Sequence, residues 1–258
     1  MEVIESQKVS RTVDVLLSIL PFEPAFFQKY GVNVEYVGNP LLDELKLTED
    51  KHERNAFALK EGLSEKPILA LFPGSRKQEI DSILPEMLEA VKKYEDYQVV
   101  IGGAPGFDAD FYDRYLRQIP AKVLFNRGQQ LMKYSRAALI TSGTATLEAA
   151  LLNLPQVICY KGNPASVFIA KKLVKIKYIG LANLIMDESV IPELIQEEMT
   201  VENMQAELDK MLFDDKRREK LFADYRRLKQ VMGGSGASEK AAGLIKAALI
   251  EQDSQAKK

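Results

Sequence analysis

The sequence predicts an α/β fold, a doubly wound parallel sheet with helices on both faces, followed by a helical C-terminal part. Three observations carry this. Apolar runs of strand length, several of them apolar throughout, alternate with longer amphipathic stretches, and uninterrupted apolarity suits parallel strands covered on both sides. The alternation itself calls for βαβ units with right-handed crossovers. After residue 198 the strand-like runs stop and three helical stretches follow.

Taken in order, strands are expected at Val13–Leu20, Val34–Val37, Ile68–Phe72, Gln98–Ile101, Lys122–Phe125, Ala138–Thr141 and Gln156–Tyr160. Between them the pattern marks helices at Lys51–Leu59, Glu79–Tyr94, Asp108–Arg117, Thr146–Leu152 and Ser166–Val174. The closing helices read as Val201–Phe213, Asp215–Met232 and Glu239–Ile250, with Gly233-Gly234-Ser235-Gly236 as the hinge before the last. The piece from Val13 to Pro40 is a strand, a short helix and a strand, too little to bury a core alone. The expected division is therefore residues 1–43 as the end of a preceding domain, 44–232 as the main α/β domain, and 233–258 as hinge and terminal helix.

Composition excludes several classes. With 258 residues, 46% hydrophobic and 28% charged, the chain can bury a full core. A net charge of -2 argues against a protein that wraps nucleic acid, and no nucleic-acid motif is present. Cys159, the single cysteine, sits in the apolar run Val157–Tyr160 and reads as a small buried hydrophobe, which fits a reducing compartment. The first residues lack the basic and apolar regions of a signal peptide, and no apolar run reaches membrane-spanning length. His52, the only histidine, stands in a charged run, so neither a histidine-based zinc site nor a Ser-His triad is expected.

Ser142-Gly143-Thr144-Ala145-Thr146-Leu147-Glu148 follows a predicted strand and opens a predicted helix. A helix start in that position offers unpaired N–H groups and a favourable dipole to a phosphate, and Gly143 suits a tight turn and close approach. Thr144 and Glu148 are four apart and share a helix face, so amides and hydroxyls at Ser142 to Thr144 can take phosphate oxygens while Glu148 accepts from a ribose diol one turn on. An ordinary helix-surface carboxylate fits Glu148 equally on pattern alone. Phe72-Pro73-Gly74-Ser75-Arg76 is a second strand-to-helix turn: Gly74 permits it, Ser75 suits the N-cap, and Arg76 can meet a diphosphate or be a surface arginine. Asn183, Glu193 and Gln196 punctuate an apolar loop, either as orienting groups of a pocket or as solvated loop polars. Gly102-Gly103-Ala104-Pro105-Gly106 matches no nucleotide fingerprint and reads as a simple turn or as a loop near the ligand. Lys171 to Lys177 mixes four lysines with apolar residues, suiting an anionic membrane surface or a solvated helix end.

Together, Phe72–Arg76, the SGTATLEAAL run from Ser142, Pro155–Val157 with Tyr160-Lys161, and Pro192-Glu193-Leu194-Ile195-Gln196 resemble the lipid-A-disaccharide synthases; Ile19–Glu23 and Tyr36–Pro40 extend the likeness. The resemblance implies a GT-B fold of two Rossmann-like domains and an inverting transfer of 2,3-diacylglucosamine from UDP-2,3-diacylglucosamine to 2,3-diacylglucosamine 1-phosphate, lipid X, releasing UDP. It further implies that Gly74, Ser75 and Arg76 meet the diphosphate, with Arg76 neutralising its charge, and that Ser142, Gly143 and Thr144 bind it. Glu148 would hold the ribose, and Asn183, Glu193 and Gln196 would orient donor groups. No cofactor and no metal are implied, the UDP-sugar being the donor substrate. Asn39 stands where many members have histidine, and Ala182 where proline is common.

A complete member has a further N-terminal acceptor domain, so this chain is expected to bind UDP without transferase activity. A non-catalytic UDP-sugar-binding module is an alternative, as is a related UDP-N-acetylglucosamine epimerase or transferase. The expected location is cytoplasmic, peripheral at the inner membrane of a Gram-negative bacterium. Leu244, Ile245, Leu249 and Ile250 give the last helix an apolar face suited to a homodimer.

Overall fold

A computed structural model describes residues 12–45, 51–117, 119–162 and 177–256. The chain divides into two units, one made of Met1–Lys46 with Arg227–Lys258 and the other of Leu47–Arg226.

The first unit holds strands β1 (Leu17–Ser18) and β2 (Glu35–Tyr36), which pair in parallel, with helices α1 (Glu23–Gln28) and α2 (Leu41–Glu44). Both strands are shorter than the apolar runs around them, because each has a single neighbour to pair with. The Tyr36 hydroxyl donates to the Met232 carbonyl at 2.6 Å, and burial pushes that phenol's pKa up. Asn39 is buried: its Nδ2 donates to the Ile19 carbonyl and its Oδ1 accepts from the Leu41 N–H, both at 3.0 Å.

The second unit begins with α3 (Lys51–Lys60) and then winds β3 (Ile68–Phe72), α4 (Lys77–Val91), β4 (Gln98–Gly103), α5 (Ala109–Leu116), β5 (Ala121–Phe125), α6 (Gly128–Tyr134), β6 (Ser135–Thr141), α7 (Thr144–Leu151) and β7 (Gln156–Tyr160). It continues with α8 (Leu181–Met186), β8 (Glu193–Ile195), a short 3-10 turn, α9 (Val201–Phe213) and α10 (Asp215–Met232), which runs into the first unit before α11 (Ala237–Ala256). All six strands pair in parallel in the order β5-β4-β3-β6-β7-β8. The chain grows from β3 outwards to β5, then returns to the other side of β3 to lay down β6. Right-handed crossovers in opposite directions put their helices on opposite faces. Accordingly α9 packs on α4, β6 and β7, while α6 packs on α7 and over β3, β4 and β6.

Burial follows from this arrangement. Leu69 to Leu71 and Ala137 to Ile140 are essentially inaccessible on both faces of the sheet, as the uninterrupted apolar runs require. Each such Leu or Ile contributes about 1.5–3 kcal/mol of burial. Cys159 is fully buried here, and burial pushes its thiol pKa well up, so it packs as a hydrophobe.

Several elements depart from the sequence reading. β4 runs on through Gly102 and Gly103, because a Cβ at either would come within 2.4 or 2.5 Å of the Phe72 or Phe125 ring; glycine here makes room for aromatic rings instead of a turn. Helices α2, α6 and α8 and strand β8 are unforeseen, the helices too short for their period to show and the strand three residues carrying a glutamate; α8 stands where the Asn183 region reads as a loop. The expected helix Ser166–Val174, and most of the lysine-rich stretch from Lys171, lie outside the described residues.

Candidate functional site

In a sheet of this order, the loops after β3 and β6 leave in opposite directions and open a crevice beyond the strands' C-terminal ends. A cleft of about 500 Å³ lies there. Gly74, Ser75 and Arg76 line it after β3, Gly102 to Pro105 at and just beyond the end of β4, and Ser142, Gly143 and Thr144 after β6, with Asn126 and Met132 completing the wall. Both sequence-predicted phosphate motifs therefore meet in one cavity of the second unit.

Their local geometry differs. Gly74 has φ +107°, and an added Cβ would lie 2.6 Å from Glu79 Oε2, so only glycine fits. Arg76, not Ser75, occupies the N-cap position of α4. The cap is instead supplied by Glu79, whose Oε2 accepts from the N–H groups of Ser75 (3.2 Å) and Arg76 (3.3 Å) while Oε1 pairs with Arg76 Nη1 at 3.0 Å. The Arg76 side chain is 82% exposed, so this pair is weakly held and its guanidinium can turn to an anion in the cleft.

At the start of α7, Gly143 is fully extended, and a Cβ there would meet nothing within 4 Å. Its value is the space it leaves, since any residue can adopt that backbone. Among the described residues no side chain caps this helix, and no acid stands in its first turn, so the amides at Thr144 and Ala145 point towards the cleft end without an intrahelical partner. The Ser142 hydroxyl donates to the Ile179 carbonyl at 3.1 Å, which leaves it as an acceptor towards the cleft; the donors available here are backbone N–H groups. Glu148 is half-buried one turn into α7. Thr141, at the end of β6, is 5% exposed and lines the same cleft, and its Oγ1 has no hydrogen-bond partner among the described residues. Sequence reading did not single it out, because a threonine ending a strand carries no signal of its own.

The third predicted group divides. Asn183 is buried and spent on protein contacts: Nδ2 donates to the Ile191 carbonyl and to Glu193 Oε1, each at 2.8 Å, and Oδ1 accepts from the Val190 and Ile191 N–H groups at 2.9 Å. Glu193 likewise accepts from Ile179 and Gly180 N–H groups at 2.9 Å. In this arrangement neither side chain lines the cleft. Gln196 does border a cavity, a second one of about 970 Å³ that also takes in Arg76, Glu86, Tyr160 and Lys161. There it exchanges two 3.2 Å hydrogen bonds with the Gly162 backbone, and Lys161 pairs with Glu86. Arg76 and Glu79 belong to both cavities. Among the described residues no cluster of three His, Cys, Asp or Glu side chains is arranged to hold a metal, and no helix is long and apolar enough to cross a membrane.

Comparison with solved structures gives the fold. A putative UDP-N-acetylglucosamine 2-epimerase from Listeria monocytogenes superposes with a TM-score of 0.66 at 14% identity, over 95% of this chain and 61% of that one. The calicheamicin glycosyltransferase CalG4 does so with a TM-score of 0.55 at 16% identity, over 92% and 54%. The shared architecture is the GT-B fold. Among curated proteins, the lipid-A-disaccharide synthase of Trichlorobacter lovleyi is 36% identical over 254 residues, which is 95% of this chain and 65% of the relative, so the chain spans about two thirds of that protein's length. With the family model for lipid-A-disaccharide synthetase matching residues 5–247, the chain belongs to the lipid-A-disaccharide synthase family of glycosyltransferases.

Proposed function

We propose that this chain is the donor-binding part of a lipid-A-disaccharide synthase and that the 500 Å³ cleft holds the UDP of UDP-2,3-diacylglucosamine. The observation that carries the reading is the convergence of Gly74–Arg76 and Ser142–Thr144 on one cleft at the switch point of the sheet. The diphosphate sits against the open N-terminus of α7, where backbone N–H groups and the helix dipole face it. Arg76 leaves Glu79 for the diphosphate and neutralises the charge that grows as the bond from the sugar's anomeric carbon to UDP breaks. Glu148 accepts from the ribose hydroxyls. Gln196, beside the second cavity, is placed to meet the sugar rather than the nucleotide.

The sugar is transferred to lipid X, whose binding and deprotonation fall to the N-terminal domain of complete family members. The donor role alone is assigned to this chain. It works without a cofactor or a metal, beside the inner membrane on the cytoplasmic side. Ile245, Leu249 and Ile250 are exposed on α11 and are proposed as the contact of a homodimer, which sedimentation at increasing concentration tests.

The deciding experiment is calorimetric titration of the chain with UDP and with UDP-N-acetylglucosamine. Binding of both is expected, weakened by Arg76→Ala and by Glu148→Ala. Absence of binding, or binding that neither substitution weakens, overturns the site. Turnover of UDP-2,3-diacylglucosamine with lipid X by this chain alone overturns the donor-only role.

A further inference from the structure

We propose that Glu193 is a positioning residue for the anion cradle: without lining the cleft, its carboxylate fixes the Ile179–Gly180 backbone, and through it the Ser142 turn. The inference rests on the reading of the cleft as a nucleotide site, and it changes the role of Glu193 from a donor contact to a support.

Three hydrogen bonds engage both oxygens of the carboxylate. Oε2 accepts from the Ile179 N–H at 2.9 Å; Oε1 accepts from the Gly180 N–H at 2.9 Å and from Asn183 Nδ2 at 2.8 Å. Charge-assisted bonds of this kind are about twice as strong as neutral ones. Glu193 stands on β8, whose register on β7 places it beside Ile158. The carboxylate is thus anchored to the sheet, and it holds two consecutive amides of the segment that leads into α8.

The other side of that segment reaches the cradle. The Ile179 carbonyl accepts from Ser142 Oγ at 3.1 Å, so one peptide unit separates the Glu193 contact from the first residue of the cradle. Gly180 shows how closely the junction is fitted, since an added Cβ would lie 2.4 Å from Ile158 Cδ1 and 3.0 Å from Glu193 Oε1. Asn183 closes the far side by tying Glu193 to the 190–191 backbone. The chain of contacts runs from β8 to Ile179 to Ser142, and it sets the direction in which the amides after β6 present themselves. Amide direction matters because a misaligned N–H···O bond weakens steeply.

Glu193→Gln removes one acceptor and turns an NH₂ group towards a backbone N–H, while keeping size. The expected result is a loss of about tenfold in affinity for UDP and for UDP-N-acetylglucosamine alike, and shifted amide resonances at Ser142, Gly143 and Thr144 in the ligand-free chain. Ser142→Ala gives a similar loss that does not add to that of Glu193→Gln, and Ser142→Thr, which keeps the hydroxyl, restores affinity. Gly180→Ala, which disturbs the junction from the other side, shifts the same resonances and serves if Glu193→Gln fails to fold. A loss confined to UDP-N-acetylglucosamine makes Glu193 a sugar contact and overturns the proposal, as does additivity with Ser142→Ala. If the unaltered chain binds no UDP, the functional reading falls by itself. The ligand-free resonances then decide this inference: shifts at Ser142 to Thr144 support it, and unchanged ones overturn it.

Discussion

The two loops that frame the cleft look alike in sequence, each a strand, a glycine turn and a helix, yet they treat their helix N-termini in opposite ways. After β3, the start of α4 is filled by the molecule itself, with Glu79 accepting from Ser75 and Arg76. After β6, the start of α7 has no capping side chain among the described residues and no acid in its first turn. The other described helices of eight residues or more with a described start side with α4. Asp108 caps α5 (to the Phe111 N–H, 3.0 Å), Thr200 caps α9 (Asn203, 3.2 Å), Asp214 caps α10 (Arg217, 3.0 Å), and Asp43 accepts from the Gly236 and Ser238 N–H groups at α11. Among described helices of eight residues or more with a described start, α7 is the one at which no described side chain accepts from an N–H group at the N-cap, beside it or in the first turn. An N-cap is worth about 0.5–2 kcal/mol, so leaving one out costs stability, which an anion bound as proposed would recover. On the proposed reading, the diphosphate belongs to α7, and the β3 loop contributes a side chain, Arg76, and not the Ser75 and Arg76 amides that Glu79 already holds.

The sharpest way to break this contrast is to give α7 the carboxylate that α4 already has. Gly143→Asp fits the extended backbone and the open space around Gly143. Its carboxylate would occupy the amides meant for the ligand. Thermal stability is expected to rise by about 0.5–2 kcal/mol, while UDP affinity falls by at least about 100-fold, the loss of a charge-assisted contact together with repulsion of the diphosphate. A variant that gains no stability and still binds UDP would show that the amides of α7 are not the cradle.

Arg76→Ala tests the other loop and should be milder. Removing one charge-assisted contact of about 1.5–3 kcal/mol weakens UDP binding by about 10- to 100-fold. Unfolding free energy should move by less than about 0.5 kcal/mol, since the Arg76–Glu79 pair is exposed on the arginine side. A large stability loss with intact binding would make Arg76 structural.

How much of this was legible in the sequence depends on range. Five of the six strands of the main sheet were visible because their apolar runs are continuous, as Ile68–Phe72 and Gln156–Tyr160 show. The cleft-lining role of Gly74–Arg76 and Ser142–Thr144 was visible because a strand-turn-helix junction is a local pattern. What was not legible is how side chains spend their hydrogen bonds at long range. Asn183 and Glu193 read as pocket polars or as solvated loop polars, yet each is held by backbone groups that only the fold brings near. Ser75 suited the N-cap by residue type, but Glu79 reaches back and takes its amide. The glycines at 102 and 103 read as a turn because nothing local reveals the Phe72 and Phe125 rings that require them.

A smaller effect is expected where the self-capping carboxylate is neutralised. Glu79→Gln keeps an acceptor at the start of α4 but removes a negative charge near Arg76 and the cleft. The helix should lose about 0.3–1 kcal/mol of charge–dipole stabilisation, and UDP affinity should rise about twofold to fivefold as Arg76 is released. A fall in affinity would mean that Glu79 orients Arg76 for the ligand and does not compete with it.

The carboxylate at α11 allows the same contrast to be read by pH alone. The Ser238 and Gly236 N–H groups, with the Ser238 hydroxyl, hold the Asp43 carboxyl below the usual carboxylate range. A carboxylate whose pKa is depressed by folding contributes stability above its unfolded pKa, near 4, and loses that contribution as pH falls through the folded value. Hydrogen-exchange protection of the first-turn amides of α11 should therefore hold from neutral pH to about pH 4 and decline below it, with exchange corrected for its intrinsic pH dependence. Asp43→Asn should flatten that decline and lower protection at neutral pH. The N-terminal amides of α7 have no carboxylate of their own and should lack this acid-dependent step in the absence of ligand. A matching step at α7 would show that an acid caps it after all, and the distinction between a filled and an open helix start would fail there.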